Sequence, residues 1–176
     1  MLRTSWFTLV AIAAATWLGA SDALAQATVA PADGGFRVVF PVPPEEKPIE
    51  SADALGPVKG VVWVVRADDV AYVVDYADYA HDVEIDSELD ADAQNFAQQL
   101  AATVTSTARR QVRRAGGGPL PGLDFSVDGA KVSGAGIAVV DGRRAYVAAA
   151  VSIKPHDGSA EIDRFLKSFE LTAAKR

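Results

Sequence analysis

The chain contains no cysteine. No disulfide can form, no thiol nucleophile is available, and attachment through a lipoprotein cysteine is excluded. No twin-arginine pair stands ahead of the apolar run at the N-terminus, and no later apolar stretch approaches the ~20 residues a spanning helix needs. There is no internal repeat and no heptad array. Catalytic signatures are missing too. Ser133 lies in KVSGAG, which is not a G-x-S-x-G elbow, and no triad follows it. GAGIAV at 134–139 lacks a third glycine and reads as strand interior. The triple glycine at 116–118 leads into Pro119, so it reads as a turn rather than a phosphate cradle. Nothing asks for a cofactor, and the expectation is a protein that is not an enzyme. A hydrolase using an acid/base pair is the alternative, but 23 acidic residues offer no way to single out the pair.

What is present begins with an address. Arg3, an apolar run over residues 6–19 and the small-x-small triplet Ala23-Leu24-Ala25 form a secretory signal, with cleavage expected after Ala25. Removing residues 1–25 from the 176 leaves 151, enough for one domain with its own core. The expected location is the periplasm or the exterior, with no membrane span after cleavage. Residues 26–34 read as a flexible mature terminus, residues 35–172 as the domain, and 173–176 as a tail.

The net charge is −6, and it stays −6 without the signal because Arg3 and Asp22 cancel. That balance disfavours nucleic acid and anionic membrane. Charge is unevenly placed. Asp82, Glu84, Asp86, Glu88, Asp90 and Asp92 form an acidic run, and Arg109, Arg110, Arg113 and Arg114 a basic one.

The hydrophobic pattern predicts mostly strands. FRVVF at 36–40 is a short strand stopped by Pro41, Pro43 and Pro44. Residues 47–54 form a second. Residues 58–66 and 70–76 form a hairpin that is apolar on both faces, so both of its faces should be covered. Residues 106–114 read as a polar edge strand. Three further strands, 123–127, 131–140 and 144–153, turn at Asp128-Gly129 and Asp141-Gly142. Leu89, Ala93, Phe96, Leu100 and Val104 make one helical stripe, predicting a helix over 87–104. Ile162, Phe165, Leu166 and Phe169 predict a C-terminal helix, with Asp157, Gly158 and Ser159 as cap candidates and His156 beside them. The expected fold is α+β: an α/β/α sandwich on a mostly antiparallel sheet of about seven strands, with one helix mid-chain and one C-terminal.

FRVVFPVPPEE, AYVVDYADY, LPGLDFSVDG, GRRAYVAAAVS and EIDRFLKSFEL, in that order, resemble the secreted bacterial relatives of PsbP, the extrinsic subunit of photosystem II. The fold of that family is shared with a Ran-binding nuclear-import factor. The resemblance spans roughly residues 35–172. It implies a binding or assembly module that docks on a larger complex, with some relatives influencing metal or chloride retention. The matching positions are Phe36, Phe40, Pro41, Tyr72, Tyr76, Pro121, Gly122, Tyr146, Phe165 and Phe169, all packing or turn positions. Trp63 and Gly142 are expected to be structural as well.

Three groups carry possible chemistry. Arg109 and Arg113 would share one face of a strand, and Arg110 and Arg114 the other. Two guanidinium groups on one face can grip a carboxylate or phosphate. The competing reading is an edge strand protected by charge, or pairing with the acidic run. No aromatic residues interleave with these arginines, which excludes a single-stranded nucleic-acid platform. Asp78, His81 and Asp82, at i, i+3 and i+4, could hold a divalent metal on a helical turn, within the acidic segment 76–92. The competing reading is a strand reaching water. The acidic run fails as a calcium loop, since the sixth position is Ser87 or Ala91 rather than glycine, and it reads as the solvated start of a helix. Asp75 shares the face of Ala71 and Val73, so it should be partly buried with an arginine as partner. The expected partner of the protein is an envelope or secreted protein, and the chain itself a monomer.

Overall fold

The computed structural model describes residues 26–173; the expected signal over 1–25 and residues 174–176 of the expected tail lie outside them. In chain order the elements are β1 (Ala27–Val29), β2 (Phe36–Phe40), β3 (Glu45–Asp53), β4 (Gly56–Ala67), β5 (Val70–Tyr79), α1 (Ile85–Gln99), β6 (Ala102–Val112), β7 (Leu120–Gly129), β8 (Val132–Asp141), β9 (Arg144–Ile153), α2 (Ser159–Ser168) and β10 (Glu170–Leu171). Seven strands form one antiparallel sheet in the order β3-β4-β5-β9-β8-β7-β6, and β1-β2-β10 form a second, small sheet. The expected α+β architecture is therefore present, with one helix mid-chain and one near the C-terminus.

The doubly apolar strands are central, as their pattern requires. Trp63 opposes Val74, and Val65 opposes Tyr72, on one face; Val64 opposes Val73 on the other. In β9 every residue from 145 to 152 is buried. One face is covered by α2 together with the small sheet. There Phe36, Phe40, Tyr72, Phe165 and Phe169 form one cluster with Trp63 and Tyr146. Ring centroids lie 5.0 Å apart for Tyr72 and Phe165 and 5.4 Å apart for Phe36 and Trp63, distances at which edge contacts add to area burial. The opposite face is covered by α1, whose Leu89, Ala93 and Ala97 sit on Leu123, Phe125, Val127 and Val140. Leu89 is its only fully buried large apolar side chain; Phe96, beside Phe125, is partly exposed. One such burial is worth about 1.5–3 kcal/mol; α2, by comparison, buries both Ile162 and Phe165.

Several expectations are corrected. Residues 26–34 are not simply a flexible lead: β1 pairs with β2, Ala27 opposite Phe40. The 36–40 strand belongs to the small sheet rather than the large one. The mid-chain helix ends at Gln99, not at 104. Ala101 adopts a left-handed φ of 50° there, and Thr103, Val104 and Thr105 are β-branched and join β6. Val104 still points inward, opposite Val127, which is why it completed the helical stripe. The 128–129 turn lies two residues later, since β7 runs through Gly129. A side chain there would approach the Ala101 carbonyl to 3.0 Å, so close approach, not turn geometry, asks for glycine. Gly142 does take the turn role, with φ 65°.

Candidate functional site: the arginine edge and the acids beneath α1

β6 is the outermost strand beside β7, and every residue from 105 to 111 is exposed. The register is interrupted between Val104 and Ser106, leaving Thr105 out of the ladder. Alternation then separates the arginines. Arg109, opposite Leu123, lies on the α1 side, where its Nη2 donates to Asp90 at 3.0 Å and its Nε lies 3.5 Å from Asp86. Arg110, opposite Gly122, lies on the other side and pairs with Asp124 at 3.2 Å. The strand stops at Val112, so Arg113 and Arg114 do not continue the alternation that the sequence suggested. Arg114 forms a part-buried pair with Asp141 and bridges to Leu171. Arg113 is exposed and, among the described residues, makes no ion pair.

Asp78, His81 and Asp82 are not brought together. Asp78 accepts from Arg144 Nε and Nη2, both at 2.6 Å, and that guanidinium lies 4.3 Å from the Tyr76 ring centre. The pairing with Asp78 holds the Arg144 proton strongly against the effect of burial. His81 Nε2 meets Asp53 at 2.7 Å. Asp53 also accepts from the backbone of Leu55 and Gly56 at the β3–β4 turn. Burial would raise its carboxyl, but the His81 and turn hydrogen bonds hold it below its ordinary value. Asp82 pairs with Arg143 at 2.8 Å, which lowers its carboxyl. Among the described residues no three His, Asp or Glu groups converge as metal ligands.

The unexpected feature lies between β5 and α1. Asp75 is 8% exposed and Asp92 2%. Asp75 sits between Val62 and Val147 in the ladder, and among the described residues no arginine pairs with it. Burial pushes its carboxyl up to about 7. Asp92 is raised well above the ordinary carboxylate value, by burial first and then by the charges of Glu88 and Asp75. The Tyr79 hydroxyl donates to Glu88, and its own proton is held far above the usual phenol value by burial and then by that carboxylate. Among the described residues, the buried atoms Asp92 Oδ2 and Asn95 Nδ2 have no hydrogen-bond partner.

Helical geometry explains why this cluster hides inside the acidic run. Successive members two residues apart are turned ~200° from one another. Asp82 and Glu84 precede the helix, and the four acids within it fall into two i,i+4 pairs: Asp86 and Asp90 face outward to Arg109, while Glu88 and Asp92 face the sheet. The solvated reading of the run holds for the first pair and fails for the second. A signal was available, since Asp92 is three residues after Leu89 and four before Phe96, on the rim of the apolar stripe. A scan of protein-family models and a search of curated proteins return no match to this chain.

Proposed function

We propose that the chain is an exported, non-catalytic binding or accessory module that takes a protein partner or an anionic ligand along β6. The observation that carries this reading is an outermost strand exposed on both faces from 105 to 111. Its outer backbone groups are free to pair with an extended segment of another protein. The other outermost strand, β3, is less suited. It contains Pro48, which cannot donate, and Glu45, Glu46 and Glu50. Arg113 supplies a guanidinium without an internal competitor, and Arg109 and Arg110 hold theirs only through exposed pairs. The similarity to secreted PsbP relatives supports a docking role and an envelope location.

The test is affinity capture from the envelope fraction with three baits: the wild-type protein, Arg109→Glu/Arg113→Glu, and Thr107→Pro. A partner retained by wild type and lost with both variants, each still folded by circular dichroism, supports the reading. Equal retention by all three overturns it.

A further inference from the structure

In the ladder Asp75 is flanked by Val62 of β4 and Val147 of β9, and beyond Val62 the same face of β3 carries Lys47, which pairs with Glu45 at 3.0 Å. From β5 come Asp75 and Tyr79; from α1 come Glu88 and Asp92, with Asn95 one turn on. The strands β6, β7 and β8 present Val104, Leu123, Phe125, Val127, Ala138 and Val140, none of which titrates. The nearby basic groups are committed elsewhere. Arg109 is held on the outer side of α1 by Asp86 and Asp90, Arg143 by Asp82, and His81, edge-on to the Tyr79 ring, by Asp53. Tyr79 spends its one hydroxyl proton on Glu88.

We infer that this seat is a proton-operated latch: protonated Asp75 and Asp92 let α1 lie on the sheet, and loss of their protons loosens the helix. Ionised, these two carboxylates would stand out of water near Glu88, and among the described residues no cation forms an ion pair with either. The apolar contact that opposes this is limited: α1 buries Leu89 and two alanines, and Phe96 adds a partly exposed contact on Phe125. The sign follows from the shifts. Both acids hold protons more tightly when α1 is seated than when water reaches them. Seating is therefore strongest below the ordinary carboxylate range and weakens as pH rises toward about 7, where Asp75 titrates.

The test is amide hydrogen exchange by mass spectrometry on the protein at pH 5.5, 6.5, 7.5 and 8.5, corrected for the intrinsic exchange rate. The expected result is that α1 exchange rises at least about tenfold relative to β9 between pH 5.5 and 7.5. Asp75→Asn/Asp92→Asn should flatten that rise, and His81→Gln should leave it intact. A pH-independent ratio in the wild type overturns the inference, as does a rise that persists unchanged in the double variant. Should the double variant not fold, carboxyl carbon-13 titration of the wild type decides. Both acids titrating near 4 overturns the latch, and both titrating well above that range supports it.

Discussion

Along β6 the arginines meet acids in water, whereas beneath α1 the acids have left water and, among the described residues, pair with no base. Arg109 and Arg110 are about two-fifths exposed, and each has a carboxylate within 3.2 Å. Asp75 and Asp92 are almost wholly buried, and Asp92 has an oxygen with no partner. Exposed pairs of the first kind contribute about 0–1 kcal/mol each. A buried, unsatisfied acid of the second kind costs about 1–3 kcal/mol even when neutral, and more when ionised. The conspicuous charge cluster in the sequence is thus the energetically quiet one. The consequential acids are those spaced to fall on the rim of an apolar stripe.

The largest effect expected is in pH dependence. The folded protein raises Asp75 from 3.8 to about 7, so stability should fall as pH rises from 4 to 7, by on the order of 4 kcal/mol for this group. Urea melts of wild type and Asp75→Asn across that range measure it, and parallel curves would refute it. Next, Asp92→Leu removes a buried carboxyl without leaving a polar atom behind. It should stabilise the protein at pH 8 by about 1–3 kcal/mol, with a smaller gain at pH 5. Arg144→Met tests an intermediate case, paired and only partly exposed. It should cost about 1–3 kcal/mol by leaving Asp78 without its two-bond partner. The smallest effect belongs to Arg110→Ala, under about 1 kcal/mol and shrinking further in 1 M salt. A large loss there would show that the β6 pairs are not equivalent to ordinary exposed ones.

Much of the fold is readable locally. The β-branched hairpin of β4 and β5, the buried alanines of β9 and the turn at Gly142 each follow from alternation or from backbone freedom within a few residues. The features that escape are non-local. β1 is three residues of modest hydrophobicity, and its pairing with β2 is decided only by the second sheet that forms around Phe36 and Phe40. Asp75 is readable as buried from its parity with Ala71 and Val73. Its surroundings are not, because they depend on where α1 lands. Arg113 departs from the expected alternation for a different reason. The strand ends one residue before it, at the point where the chain turns toward Gly116, Gly117 and Gly118.

The division of the acidic run has one more consequence. The same helix offers Asp86 and Asp90 to Arg109 on one side and Glu88 and Asp92 to the sheet on the other. A ligand that draws Arg109 away from α1 would change how firmly that helix is seated, and with it the affinity of the buried acids for protons. Reciprocity then requires that acidity change the affinity of the ligand by the same factor. The two regions would be thermodynamically conjugate, joined by a helix of fifteen residues.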